Sequence, residues 1–412
     1  MSTNPKLSLV ILAAGRGTRF LPLTETTPKS LIPILNKPAL EHNLEGITEY
    51  IQEIVILVGY LGDKIREYFG ADFQGIPIKY VEQIEYKGTG HALDFIKDQV
   101  ISEQFILMYG DDLYSSDLVK QLIDTKDSCL IGKKVTDWQK YGVFKLDSNS
   151  NLVEIVEKPS EFVGDLVNIG LYKLDRKIFD YYSRIGLSPR GEMEFTDTLT
   201  LFAKDYPVKV IQTETGWFPL SYPWDILNVS QEKSKQIEDK RDGIIEQGVV
   251  IKGRLQLGKG SLIKSGSYLE GNFVIGEDCV IGPNASLRGF AAIGDGSEIG
   301  HASQVVRSVV GKNVNMKHLA YIGDSIIGNE VNIAGGVVTA NLKHTHTNVK
   351  MMINGKLVDS GRTKLGTIVG DGAKLGINTS IYPGRKVDSG CWTLPGEVVK
   401  EDKIQANSSK DL

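Results

Sequence analysis

Three groups of residues in this chain have types and spacings suited to chemistry. The first is Gly15-Arg16-Gly17-Thr18-Arg19 followed by Pro28-Lys29. Gly15 and Gly17 leave no Cβ in the loop, so backbone N–H groups can approach a phosphate closely. Arg16, Arg19 and Lys29 add three positive charges, two of them guanidinium forks that match phosphate oxygens. The second group is Gln83, Gly88 and Thr89 within EQIEYKGTGHA. An amide such as Gln83 reads a donor and an acceptor on a base edge at once, while Gly88 and Thr89 let backbone pass close beneath it. Asp111 and Asp112 belong with them, as carboxylates placed after an apolar run to hold Mg²⁺. The third group is His318 with Tyr321, Asn332 and Asn341, followed by Lys343, Lys350, Lys356, Arg362 and Lys364. An imidazole titrates near neutral pH and can take a proton from an attacking group.

Two familiar phosphate patterns do not fit the first group. The dinucleotide fingerprint needs a third glycine where Phe20 stands, and the Walker loop needs Gly-Lys-Ser/Thr, which is absent here. A glycine-rich turn without a ligand is the remaining alternative. His344 and His346 invite a metal reading, but no third ligand stands nearby at a sensible spacing, so they read as exposed loop histidines. His301 reads as a repeat-face residue.

The elements that must position these groups change character along the chain. Apolar runs at Leu7–Leu12, Ile54–Val58, Ile78–Val81 and Phe105–Tyr109 alternate with amphipathic stretches at Ala39–Tyr50 and His91–Val100. Alternation of this kind predicts βαβ units and a mostly parallel, doubly wound sheet, whose ligands sit at the carboxyl ends of strands. The Gly15 loop and Asp111 both fall there. Residues 225–243 are charged and predict a solvated helix leading out of the first domain, closed by Gly243. Beyond it, every sixth residue from Ile251 to Val305 is aliphatic. Such a hexapeptide repeat predicts a parallel β-helix with one aliphatic side chain pointing inward per short side. The frame slips at Val310 and at Ile327, stops between Ala340 and Thr367, and resumes at Val369, Leu375, Ile381 and Val387. A gap of this length is a functional or a disordered loop. The expected domains are therefore residues 1–240, residues 241–400 and a polar tail at 401–412.

At 412 residues the chain is long enough for two cores, and a net charge of −4 argues against a general nucleic-acid binder. Its three cysteines, Cys129, Cys279 and Cys391, are scattered and suit a reducing cytosol. The first apolar run is too short for a signal peptide or a membrane span. These features predict a soluble cytoplasmic protein with no membrane or nucleic-acid partner.

The segment G-R-G-T-R with P-K resembles the signature of the sugar-1-phosphate nucleotidyltransferases. That resemblance covers roughly residues 7–230. It implies an α/β Rossmann-like nucleotidyltransferase domain in which Leu12, Ala13, Ala14, Gly15, Gly17 and Thr18 bind the nucleotide. Arg19 and Lys29 would hold its phosphates. The E-Q-…-G-T-G-H-A segment is similar to that of the uridyltransferases for N-acetylglucosamine 1-phosphate, while its spacing is closer to thymidylyl-transferring relatives. UTP and dTTP both stay open. The resemblance gives Asp111 and Asp225 to Mg²⁺, with Asp112 a spare, and Gly142, Glu157, Lys158 and Asn168 to the sugar. Arg190-Gly191-Glu192 and Phe195-Thr196-Asp197 are also similar to the family. The second half resembles the left-handed hexapeptide-repeat acyltransferases, and residues 315–341 resemble the acetyltransferase segment of the bifunctional enzymes making UDP-N-acetylglucosamine, most closely the archaeal type. By that likeness His318 is a general base, Arg288, Tyr321 and Asn332 bind sugar phosphate, and Asn341 positions the reacting groups. Lys350 falls on a functional lysine, while Thr347 stands where another lysine is expected. The implied co-substrates are sugar 1-phosphates and acetyl-CoA, and the implied assembly is a homotrimer. Two alternatives differ in class: a single nucleotidyltransferase site with a structural β-helix, and a non-catalytic regulatory subunit.

Overall fold

The computed structural model describes residues 6–85, 87–188 and 191–404. Arg190 and the end of the polar tail lie outside the described residues. Two compact units divide the chain: Met1–Arg16, Pro28–Leu31 and Ala39–Pro219 form one, and Gly17–Thr27, Ile32–Pro38 and Leu220–Leu412 the other. No helix among the described residues is long and apolar enough to cross a membrane.

The first unit is built on strands β1 (Leu7–Leu12), β2 (Ile51–Val58), β3 (Ile76–Glu82) and β4 (Gln104–Tyr109). β1 lies parallel between β2 and β4, and β3 runs parallel beyond β2. β1, β2 and β4 are buried on both faces, whereas β3 buries only Ile78. Leu9 and Ile11 enter one core with Ile106 and Met108, while Val10 enters a second core with Phe105 and Leu107. Helices cover both faces, which is why these strands read as continuous apolar runs. α1 (Ala39–Leu44), α2 (Gly62–Phe69) and α4 (Ser116–Ile123) bury side chains in the first core. α3 (Ala92–Ile96) and α5 (Phe195–Phe202) bury theirs in the second.

Past β4 the sheet is mixed rather than parallel. β5 (Cys129–Lys134), β6 (Gly142–Leu146), β7 (Leu152–Glu157), β8 (Leu166–Asp175) and β9 (Lys209–Thr213) extend it, and the short strand Asp72–Phe73 lies antiparallel on β3 at the other edge. β8 is antiparallel to β4, β5 and β6, β7 is antiparallel to β6, and β9 is parallel to β5. The predicted helices are shorter than expected. The first is α1 followed by a separate turn at Thr48–Tyr50, and the second is only α3.

The second unit contains a left-handed parallel β-helix. Leu257 pairs with Ile275, Ile263 with Ile281 and Leu269 with Leu287, always eighteen residues apart, so three hexapeptides make one coil. Of the ten repeat aliphatics from Ile251 to Val305, nine are buried, and Ile251, at the exposed beginning of the stack, is partly so. The pairs Ile293–Val310 and Val310–Ile327 are seventeen apart, which is the frame slip seen in the sequence. From Ile327 to Val369 the offset is 42, so 24 residues beyond an ordinary coil leave the helix before Val369 resumes it. Those residues are not a featureless loop. Lys350–Ile353 and Lys356–Asp359 form an antiparallel hairpin whose two turn residues, Asn354 and Gly355, both have positive φ, as a type I′ turn requires.

The expected solvated helix over residues 225–243 is a shorter, partly buried one, α6 (Asp225–Ser234). Ile226, Leu227, Val229 and Ser230 are buried, and α6 packs on the strands Tyr268–Ile275, Ser286–Ile293 and Gln304–Val310. Most of the charges that suggest solvation, Lys235 and Glu238 to Asp242, lie beyond its last residue, Ser234. Gly243 does not close it: Lys240–Arg241 already pairs with Gln256–Leu257, so Gly243 lies inside the first coil. At the other end, residues 401–404 are still attached, Lys403 bridging to Val387 and donating to the Trp392 carbonyl at 3.0 Å.

The Gly17–Thr27 and Ile32–Pro38 segments rest on the coils of the same unit. Thr26 Oγ1 donates to Asp371 at 2.7 Å, Ser389 N donates to Glu25 at 3.1 Å, and Asn354 Nδ2 donates to Thr18 Oγ1 at 3.2 Å. Asn36 Nδ2 donates to the Ile293 carbonyl at 2.7 Å.

Candidate active sites

In the first unit the candidate residues gather where the parallel strands end. Backbone bonds stitch the loops there together: Ala13 N to Leu57 O, Gly110 N to Leu12 O, Tyr60 N to Ala14 O and Gln83 N to Val58 O, all between 2.9 and 3.2 Å. Ala13 and Ala14 are buried beneath the loop, while Gly15 and Arg16 are exposed. A Cβ built on Gly15 would meet nothing within 4 Å, so the loop opens to free space. Lys29 is buried and its ammonium donates to Asp111 Oδ2 at 2.7 Å. That pairing joins a cation and a carboxylate 82 residues apart. Arg16 lies over the Tyr60 ring.

Asp112, the expected spare carboxylate, has a structural part instead. It accepts from the Trp217 indole at 3.0 Å, and its carbonyl accepts from Asn43. Gln83 is 7% exposed, and its side-chain amide has no hydrogen-bond partner among the described residues. A buried amide left this way suits a ligand that brings both donor and acceptor. Gly88 and Thr89 meet protein first. Gly88 has φ +105°, and a Cβ there would come within 2.4 Å of the Met193 carbonyl. Thr89 Oγ1 accepts from Phe195 N at 3.2 Å, seating the start of α5.

The sugar candidates converge as well. Gly142 opposes Glu157 in register, and a Cβ on Gly142 would lie 2.8 Å from Glu157 Oε2, 2.9 Å from Ile155 Cγ2 and 3.8 Å from Asn168 Cβ. Asn168 Oδ1 accepts from Gly170 N, and Lys158 Nζ stands 4.0 Å from Glu157. Burial, together with the Glu157, Asp111 and Glu194 carboxylates, pushes the Tyr109 phenol well up. Tyr109 and Glu194 were not singled out from the sequence, because nothing in their spacing marks them.

The second unit carries Gly17, Thr18, Arg19 and Asp225. Gly17 takes the left-handed conformation that starts the turn Thr18–Phe20, and Arg19 lies over the Tyr222 ring, 5.7 Å from its centre. Asp225 Oδ2 accepts from Ser221 N and Tyr222 N at 2.9 and 2.8 Å.

On the β-helix, His318 is exposed at the end of the strand Asn315–His318, in register with His301 and against Gly335 of the next coil. Tyr321 follows around the corner and is held by Asn341 Nδ2 at 3.3 Å. Asn332 is in register with Asn315, three residues from the point opposite His318, or about 10 Å along the strand direction. Arg288 is exposed, in register with Val306 two coils from Gly323. Lys350 is exposed on the hairpin, and His344 and His346 are exposed as expected. No cluster of three metal-ligating side chains occurs among the described residues.

Arg362, of the basic run after His318, is tied to other side chains of the unit. It is part of an ionic cluster that sequence reasoning missed. Asp324, fully buried, accepts from Arg307 Nε and Nη2 at 2.8 and 2.7 Å, from Arg362 Nη2 at 3.4 Å and from Asn341 Nδ2 at 2.6 Å. Arg362 also donates to Asn228 of α6. Asp324 raises the Arg307 pKa, while burial lowers that of Arg362. The available signal was that Arg307 and Asp324 are seventeen residues apart, the length of one shortened coil.

Residues 8–236 match the family model described as Nucleotidyl transferase, and residues 242–356 match one described as GMPPB C-terminal domain. The chain is 39% identical to the Bifunctional protein GlmU of Methanocaldococcus jannaschii, over 98% of this chain and 97% of that protein. It is 38% identical to a bifunctional sugar-1-phosphate nucleotidylyltransferase/acetyltransferase of Sulfurisphaera tokodaii, over 95% and 97%. A solved UDP-glucose pyrophosphorylase complexed with UDP-glucose superposes with a TM-score of 0.51 at 24% identity, over 56% of this chain and all of that one. That last likeness concerns the fold alone.

Proposed function

This chain belongs to the nucleotidyl transferase family, and from that premise we propose that it is a bifunctional enzyme with one activity in each half. The first activity transfers a nucleotidyl group from UTP or dTTP to a sugar 1-phosphate. A sugar-phosphate oxygen attacks the α-phosphorus in line, and the bond to pyrophosphate breaks. Positioning and charge neutralisation carry such a reaction. Arg19 and Lys29 neutralise the phosphates, Gln83 reads the pyrimidine edge, and Gly142, Glu157, Lys158 and Asn168 hold the sugar. The observation that carries this reading is the buried Lys29 ammonium held on Asp111 at the carboxyl ends of parallel strands.

The family implies Mg²⁺, and the donor chemistry fits. Asp111 offers hard carboxylate oxygens, one taken by Lys29, on a side chain 44% exposed and so open to a cation. Asp225 is the second carboxylate assigned to it. When bound, Mg²⁺ supplies positive charge to the phosphates.

The second activity acetylates an amino-sugar 1-phosphate from acetyl-CoA. The neutral amine attacks the thioester carbonyl, the C–S bond breaks, and His318 takes the amine proton. Arg288 and Lys350 neutralise the sugar phosphate, with Tyr321, Asn332 and Asn341 around the sugar. Homotrimeric assembly is part of the same proposal.

A substrate panel tests both activities: each sugar 1-phosphate with UTP or dTTP, read as pyrophosphate, then glucosamine 1-phosphate with acetyl-CoA, read as free thiol. Pyrophosphate without any thiol release would reduce the β-helix to a structural element.

A further inference from the structure

We propose that Asp324 is a positioning residue for acetyl transfer: it fixes the Asn341 amide so that its carbonyl oxygen faces the reacting amine. The proposal rests on the reading of the β-helix as an acetyltransferase. Asp324 receives four donor contacts, from both ends of the Arg307 fork, from Arg362 and from Asn341. Its oxygens act only as acceptors there. An Asn341 carbonyl turned toward them would set acceptor against acceptor, so the amide NH₂ must face Asp324. The same nitrogen donates to the Tyr321 hydroxyl at 3.3 Å. Asn341 Oδ1 is left with no donor among the described residues.

A free carbonyl oxygen accepts an N–H from an amine and so aims the nitrogen lone pair at an electrophile. Asp324 also clamps both limbs of the excursion, since Asn341 stands where the chain leaves the coils and Arg362 where it returns. Such a clamp acts on the reaction through Asn341 rather than by touching substrate. Misplacing a reacting group by about 1 Å costs on the order of 10²-fold in rate.

The test is a double-mutant cycle of D324N with N341A in the full-length chain, with R307K in place of D324N should that variant fail to fold. R307K keeps the charge and loses the fork. Acetyl transfer is read as kcat and as KM for glucosamine 1-phosphate, with nucleotidyl transfer as the folding control. Each single variant should lose about 10²-fold in kcat with nucleotidyl transfer within two-fold, and the double variant should lose no more than N341A alone. Multiplying losses would overturn the proposal, because Asp324 would then act independently of Asn341. Wild-type protein that releases no thiol would overturn the acetyltransferase reading and this proposal with it, an outcome distinct from active enzyme with multiplying losses.

Discussion

Replacing Lys29 by Met separates the electrostatic from the structural part of the first site. Met fills much of the lysine volume with a flexible apolar chain and no charge. The pair it removes is short, 2.7 Å, with Lys29 9% exposed and Asp111 44% exposed. Water therefore screens the carboxylate partner, and a pair of this kind stabilises a fold by about 0–1 kcal/mol. That corresponds to a melting shift of at most about 2–4 °C. The catalytic loss is larger. Removing one preorganised group that meets developing charge costs on the order of 2.7–4 kcal/mol, or 10²–10³ in rate. Pyrophosphate release by Lys29→Met should fall by that factor, while the melting transition moves by a few degrees. A rate within about three-fold of wild type would mean that Lys29 serves only as the counter-ion of Asp111.

Leu287 is fully buried between Leu269 and Val305 of neighbouring coils, so Leu287→Ala should cost about 2–5 kcal/mol in a denaturant melt. A loss below about 1 kcal/mol would deny the repeat its inward register. Burial pushes the Glu53 carboxyl up, but Lys79, Ser8 and the Ile101 N–H outweigh it and hold its pKa below the usual value. A lowered carboxylate pKa stabilises the fold above the ordinary glutamate range and loses that effect as pH falls through the folded value. Glu53→Gln should therefore lower the melting temperature at neutral pH, with the gap closing in acid; an equal gap at all pH values would assign the loss to packing. A fragment of residues 1–240 lacks Asn354, Asp371 and Ser389, the partners of Thr18, Thr26 and Glu25. Its nucleotidyl transfer should drop at least about 10-fold, because a signature loop without its supports is less well positioned. Full activity would show that the loop holds its own shape.

The parts legible in the sequence are those in which each residue reports its own environment. Strands β1 and β4 are buried on both faces, so Leu9, Val10, Ile106 and Leu107 write continuous apolar runs. The coils set one aliphatic inward per hexapeptide, and the slips at Val310 and Ile327 appear as shorter pairing offsets. What stayed hidden depends on partners far away in the chain. The charged run from Lys233 to Asp242, most of it past the end of α6, masked the buried Ile226, Leu227 and Val229. Gly88 looked like a ligand-facing glycine because its crowding comes from Met193 backbone. Asp324 and Arg307 meet only because a seventeen-residue coil stacks one on the other. The hairpin at Asn354-Gly355 was in reach of sequence reasoning, since Asn-Gly between short alternating runs signals a type I′ turn.

The central claim is that one chain carries two independent sites, and complementation tests it most directly. Lys29→Met and His318→Ala are each supplied with glucosamine 1-phosphate, acetyl-CoA and the nucleoside triphosphate the enzyme accepts, and nucleotide-linked N-acetylated sugar is measured. Lys29→Met alone should accumulate acetylated sugar phosphate, and His318→Ala alone should leave the amino-sugar phosphate unacetylated. An equimolar mixture should make the final product at a rate within a few-fold of half that of wild type. Acetyl transfer retained in full by His318→Ala, or a mixture no better than either variant, would contradict the account.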